Sequence, residues 1–189
     1  MTIDCDVSSE SIIQLDVNAV LESDVTLRDG ATVHIRPIQP DDDHVLVELF
    51  QHLSPQSVYQ RFFTALPELS PGMAHYLSHV NYTNRFALVA ESGGEVAGVG
   101  RYERTNEPGL VELSLVIADA WQSRGLGRIL LRETIKAAES NGIHRFRADV
   151  LSENRRMLRL LMEETQVIEK KTDAGVTSFL VSPKQNRAR

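Results

Sequence analysis

Between residues 39 and 80 the apolar residues step by three and four. From residue 85 they gather into short runs of strand type. "ATVHIRPI" (31–38) alternates imperfectly around Val33, Ile35 and Ile38, and Pro37 limits it to an edge-type strand. "QPDDDHVLVELFQHL" opens on acids and places apolar residues at 45, 46, 49, 50 and 53, which predicts a helix. Ser54-Pro55 and Ser70-Pro71 each pair an N-cap with a proline at the first helical position, so two more helices follow. "RFALVAE" and "EVAGVGRYER" flank "SGGE" as a hairpin, and "GLVELSLVIA" follows through "TNEPG" as a third strand. A helix over about 124–140 ends at Asn141-Gly142. "HRFRADV" reads as a strand and "SENRRMLRLLMEE" as a helix, and "QVIEKK" and "VTSFLVS" pair around "TDAG". The order predicts one mixed α/β domain over 26–182, an N-terminal arm over 1–25 and a frayed tail over 183–189. In the arm, Ile13, Val17 and Val20/Leu21 hold helical spacing, which suits a short packing helix or a partner-binding segment.

Charge sharpens this division. Residues 1–30 hold seven acids and one arginine, whereas 31–189 hold 19 charges of each sign. The acidity belongs to the arm, and the balanced body lacks the basic field that nucleic-acid binding needs. No apolar run reaches the roughly 18–20 residues of a membrane helix. The acidic start "MTIDCDVSSE" is unlike a secretory signal, so a soluble cytoplasmic protein is expected. Cys5 is the only cysteine, which excludes an internal disulfide and a cysteine zinc cluster. His75 and His79 share a helix face, but with no third ligand in the sequence pattern no metal is expected.

The candidate chemistry centres on "WQSRGLGRILL" (121–131). Two glycines at a helix entrance cost roughly 1 kcal/mol each relative to alanine in a helix interior. A helix N-terminus offers unpaired N–H groups and partial positive charge, and glycine clears the approach for a phosphate. Arg124 and Arg128 add two cations. A Walker loop would need Lys-Ser or Lys-Thr, and a dinucleotide loop a third glycine where Leu130 stands. The pattern that fits is Q/R-x-x-G-x-G/A, read as Gln122-Ser123-Arg124-Gly125-Leu126-Gly127. The plainer alternative is a helix start whose glycines allow close packing on a strand.

This segment resembles the coenzyme-A-binding motif of the GNAT acyltransferases, and the element order from 31 to 182 is similar to theirs. "LRDGATVHIRPIQPDDDHVLVELFQHLSPQSVYQRFF" resembles the opening of bacterial GNAT domains that acetylate protein lysines. The resemblance implies a mostly antiparallel sheet of six to seven strands with helices on both faces. It implies acetyl-CoA as co-substrate, with the pantetheine arm along Leu115, Val116 and Ile117 and the pyrophosphate on the amides of 123–128. Asn154 matches a family asparagine that contacts the cofactor; it also suits a simple N-cap.

Transfer to an amine requires a base, because a lysine with pKa near 10.4 is an ammonium at neutral pH. Glu112 shares a strand face with Ser114 and Val116, opposite Val111, Leu113, Leu115 and Ile117, and the family frequently has its base at this position. Burial there would make a carboxylate a stronger base. Its alternative is a solvated or Arg-paired strand carboxylate; Glu103 and Glu107 are reserves. A backbone N–H near Val116 or Ile117 is the expected oxyanion donor. The family's tyrosine acid falls on Leu161, and its Gly-Phe pair on Thr165-Gln166. Thiolate protonation would then fall to solvent or to Tyr59, Tyr76 or Tyr82, or the activity would be weak. By the family layout, Tyr59 and Arg61 border the acceptor groove, while Phe62 and Phe63 are expected in the core. Cys5 lies far from the motif, so direct transfer is expected rather than a cysteine-linked intermediate. The acceptor implied is an amine, with a protein lysine ahead of a small amine; a non-catalytic acyl-CoA sensor and a homodimer remain open.

Overall fold

The computed structural model describes residues 22–184. Its elements run β1 (Ser23–Thr26), β2 (Thr32–Pro37), α1 (Asp43–Gln51), α2 (Pro55–Phe62), α3 (Pro71–Ser78), β3 (Arg85–Ser92), β4 (Glu95–Arg104) and β5 (Leu110–Ile117). A short 3-10 turn (Asp119–Trp121) then leads to α4 (Leu126–Ser140), β6 (Arg145–Leu151), α5 (Arg155–Glu164), β7 (Thr165–Asp173) and β8 (Val176–Pro183). The strands form one mixed α/β sheet in the order β1-β2-β3-β4-β5-β6-β8-β7, and every neighbouring pair is antiparallel except β5–β6.

The cap signals hold. The Ser54 and Ser70 hydroxyls accept the Ser57 and Met73 N–H groups at 3.2 and 3.3 Å, with a proline in each first turn. The expected apolar stripe of α1 buries Val45, Leu46 and Leu49. On one sheet face α4 buries Leu126, Leu130, Leu131 and Ile135, while α1 and α3 cover the other. Phe86 and Tyr102 stack at 5.6 Å in the core. The Tyr102 hydroxyl donates to the Thr83 carbonyl at 3.2 Å and accepts from Asn141 at 2.9 Å, tying the end of α4 to the sheet.

Three expectations are corrected. The sheet has eight strands, because Ser23–Thr26 pairs with β2; it begins inside the segment read as an arm, and its short exposed pattern gave no strand signal. Helix α4 starts at Leu126, two residues late, because Gly125 is its N-cap in the left-handed region at φ +100°. Gly125 therefore supplies a turn that a side chain would strain, rather than weakening a helix interior. The apolar positions of the arm up to residue 21, and the tail beyond 184, lie outside the described residues.

One register feature positions everything that follows. β5 and β6 pair only over Leu110–Glu112 against Arg145–Arg147. Beyond that, β5 stays with β4 while β6 stays with β8, and the two strands diverge. Glycines on β4 let this side pack closely. A Cβ on Gly98 would stand 2.8 Å from the Val116 carbonyl oxygen, and one on Gly100 would stand 2.6 Å from Thr134 Oγ1 of α4.

Candidate active site

The divergence opens a groove of about 1120 Å³. Residues 112–117 of β5 form one wall and 148–150 of β6 the other, with α2 and the starts of α4 and α5 closing its ends. Along Leu113–Ile117 alternate residues turn their N–H and C=O away from β4 into the gap, as an unpaired strand edge does. Leu115, Val116 and Ile117 thus lie where an extended chain could add as a strand.

The loop after β5 supplies the second feature. The N–H groups of residues 123–127 have no carbonyl acceptor among the described residues, whereas that of Arg128 bonds to the Gly125 carbonyl at 3.1 Å. Ser123 and Gly125 both have positive φ, 63° and 100°, which fans these donors outward. Gly127 lines the groove; a Cβ there would meet Leu115 at 3.5 Å, Leu160 at 3.7 Å and Ile117 at 3.8 Å, ordinary contacts. Gln122 braces the loop. Its amide donates to Ser57 Oγ at 3.0 Å and to the Ile117 carbonyl at 3.2 Å, and its oxygen accepts from Arg156 at 2.8 Å. Leu126 is fully buried and anchors α4 rather than facing a ligand.

The cations differ from expectation. Arg124 pairs with Asp29 and lies over the Trp121 ring at 4.2 Å. Arg128 pairs with Glu163 at 2.5 Å and Glu164 at 3.1 Å. Both expected phosphate cations are engaged by acids that only the fold brings near. Arg28 was not singled out; its side chain passes 3.7 Å from the Cβ position of Gly125, and it lines the groove with Arg155, Arg156 and Arg159. The periodicity of α5 hints at the last three, but nothing local in the sequence marks Arg28. Asn154 is the N-cap of α5, its oxygen accepting the Met157 N–H at 3.1 Å while its amide donates to Gln60 at 3.2 Å. It also lines the groove.

Glu112 sits at the end of the groove where β5 and β6 part. It is exposed, so the burial expected around it is absent. It has no hydrogen-bond or ion-pair partner among the described residues, and the reserves do: Glu103 accepts from Tyr76 at 2.5 Å, and Glu107 pairs with Arg145 at 3.0 Å. Across from Glu112, α2 presents Ser57, Gln60 and Arg61 to the groove. Tyr59 is corrected: helical geometry turns it to solvent, 45% exposed, and it does not line the groove. Phe62 packs on the core as expected, but Phe63 is an exposed left-handed C-cap at φ 58°. Leu161 is fully buried, Tyr76 is held by Glu103, and the Tyr82 hydroxyl donates to the Ile38 carbonyl at 2.8 Å. No tyrosine lines the groove among the described residues. Away from the groove, Asp43 stands beside His75 at 3.4 Å and His79 at 3.8 Å, the third group that the sequence pattern did not show. The Ser78 hydroxyl is foremost in holding the Asp43 carboxyl below its usual range.

The Acetyltransferase (GNAT) family matches residues 46–164. The chain belongs to the GNAT family. It is 32% identical to an acetyltransferase of Pseudomonas aeruginosa over 70% of this chain and 73% of that one. It is 28% identical to the acetyltransferase Pat of Mycolicibacterium smegmatis over 80% of this chain, spanning 46% of that longer protein. Among solved structures, the GNAT domain of S. lividans PAT superposes with a TM-score of 0.80 at 33% identity, covering 87% of this chain and 98% of that domain. A putative acetyltransferase from Salmonella typhimurium, solved with its cofactor acetyl-CoA, shares the fold with a TM-score of 0.66 at 22% identity, over 83% of this chain and 96% of that one.

As a GNAT enzyme the protein is an acyl-CoA-dependent N-acetyltransferase whose co-substrate is acetyl-CoA. The residues present fit that donor. An unpaired strand edge suits the amide-bearing pantetheine arm, and bare N–H groups at a helix start suit a pyrophosphate. No described helix is long and apolar enough to cross a membrane.

Proposed function

We propose that the protein transfers the acetyl group of acetyl-CoA directly to an amine acceptor, a protein lysine, with Glu112 as general base. The observation that carries this reading is the position of Glu112: an unpartnered carboxylate at the mouth of a groove whose wall is a free strand edge. The likeness to the Pat proteins, with the resemblance of residues 27–63 to domains that acetylate protein lysines, supports a lysine acceptor.

In this reading the pyrophosphate rests on the amides of 123–127, with Arg28 adding positive charge. The pantetheine extends along Leu115–Ile117 and carries the thioester toward Glu112. Glu112, open to solvent, takes the ammonium proton through a water. The amine nitrogen then attacks the carbonyl carbon. A C–N bond forms, an N–H of the diverging edge near Val116 or Ile117 donates to the oxyanion, the nitrogen gives its second proton to solvent, and the C–S bond breaks. The thiolate leaves with modest help, because a thiol pKa lies near 8.5, and solvent protonates it in the absence of a groove tyrosine. The products are an N-acetyl amide and free coenzyme A.

Glu112→Gln tests this. The variant should bind coenzyme A as the native protein does by calorimetry, while kcat for a lysine acceptor falls about 100-fold or more. Unchanged kcat would remove Glu112 from the chemistry. Protein and small-amine acceptors are separated by presenting both and following free thiol.

A further inference from the structure

Six arginines among the described residues are at least partly buried: Arg36, Arg61, Arg85, Arg101, Arg124 and Arg128. Four have a carboxylate within 4 Å. Arg36 is clamped by Asp42 and Glu91, both at 2.6 Å; Arg85 has Glu103, Arg124 has Asp29, and Arg128 has Glu163 and Glu164. Arg61 and Arg101 have none among the described residues. Arg101, on β4, is 4% exposed, and the one hydrogen bond of its side chain among the described residues goes to the Leu77 carbonyl at 3.3 Å. Arg61, near the end of α2, lies over the Phe62 ring at 5.0 Å.

These two arginines share a cavity. It holds about 40 Å³ between α1, α2, α3 and the sheet, room for a group of a few atoms, and apart from the two guanidinium-bearing side chains its lining is apolar. Arg61, Phe62 and Val116 line that cavity and the active-site groove alike, so it adjoins the groove at the level of Val116. The charges feel one another. Burial, then the Arg61 and Arg85 cations, pulls Arg101 down to about 10; burial lowers Arg61 as well, and Glu112 is the charge that opposes it. A buried cation without a counter-charge is costly, and a second beside it compounds the cost. A ring face and a carbonyl dipole offset a fraction of a full anion.

The geometry points to a carboxylate subsite: Arg61 and Arg101 form a cationic pocket beside Glu112 that takes a carboxylate carried by the amine acceptor. This rests on the acceptor reaching Glu112, as in the proposed function. The guanidinium fork matches a carboxylate with two parallel hydrogen bonds. The donor phosphates are served by the bare backbone amides of the loop over 123–127, which leaves these two cations to the acceptor. The same pair repels an ammonium. An unescorted cationic lysine is therefore disfavoured, and one accompanied by an acid is chosen.

Two sources supply that chemistry, an acidic side chain near an acceptor lysine in a protein and the carboxylate of a free amino acid. The test presents ω-amino carboxylates of increasing length, each against its amide, and lysine peptides with Glu or Gln at each nearby position. kcat/KM is followed by thiol release. One carboxylate acceptor should be preferred to its amide by about tenfold or more. The preference should fall to near parity in Arg61→Gln and in Arg101→Met, whose apolar side chain suits the buried site, with KM for acetyl-CoA unchanged. Which set shows the preference identifies the source. In parallel, glutarate is titrated calorimetrically into protein saturated with coenzyme A; heat that disappears in Arg61→Gln supports the subsite without turnover. Acetylation of acid and amide acceptors alike, or a preference that survives in both variants, overturns the subsite and leaves the transferase reading standing. Glutarate binding lost in Arg61→Gln, in a protein that acetylates no amine, does the reverse.

Discussion

Gly125 and Gly127 stand two positions apart and do different work. Gly125 holds φ +100°, and a side chain there is strained however much room it has. Gly127 is helical, and its Cβ position meets neighbours at 3.5–3.8 Å, so alanine fits. Gly127→Ala should stabilise the free protein by up to about 1 kcal/mol through helix propensity. It also places a methyl group in the groove, against Leu115, Leu160 and Ile117. Denaturant unfolding should show the gain while coenzyme A affinity falls several-fold; tighter binding would show that coenzyme A does not pass this helix start. Glycine's presence at both positions is plain in the sequence, but which one turns the chain and which clears the groove is not, because φ is set by how the loop returns to the sheet. The reversal of roles among the arginines has a similar origin. Arg124 and Arg128 look free beside the motif, yet Asp29 and Glu163 reach them across 95 and 35 residues.

At the scale of elements, local rules carried most of the fold. The caps at Ser54 and Ser70, the Gly93-Gly94 hairpin and the stripe of α1 depend on residues within a turn of one another, and each appears where its pattern placed it. β1 did not, because four mostly exposed residues carry no alternation. Nor did the divergence of β5 from β6, which is a relation between strands 35 residues apart. That relation depends on β4. Gly98→Ala would drive a Cβ to 2.8 Å from the Val116 carbonyl and 2.7 Å from Ile117 Cδ1, closer than a real Cβ sits. β5 must then shift, and the strand edge assigned to the pantetheine shifts with it. The expected outcome is a rise in KM for acetyl-CoA together with a stability loss of about 1–3 kcal/mol. A variant with native KM would separate this edge from donor binding.

Over the whole molecule, buried phenols set an alkaline limit. Burial raises Tyr82 and Tyr102 above the ordinary value of 10.0, and the hydrogen bond to Glu103 raises Tyr76. A phenol whose folded pKa is raised adds stability that is complete below the unfolded value and is lost as pH climbs through the folded one. Unfolding free energy should therefore decline above about pH 10, with the ordinary tyrosine pKa as the onset. Tyr102→Phe should lessen that decline while costing about 1–2 kcal/mol at neutral pH, since the Thr83 carbonyl loses its donor and the Asn141 amide keeps only the Tyr82 and Ala137 carbonyls. An unchanged alkaline limb would place its cause in other groups.

The three-residue register between β5 and β6 is also a mechanical joint. Strands β1–β5 and β6–β8 are each continuous ladders, and the main-chain lacing that crosses from one to the other is that brief run. Amide protons on the two sides thus belong to blocks that can open separately. A pantetheine lying in the wedge acts as a stitch across the seam. The acyl donor that the enzyme consumes is, while it stays, also the piece that makes the sheet whole.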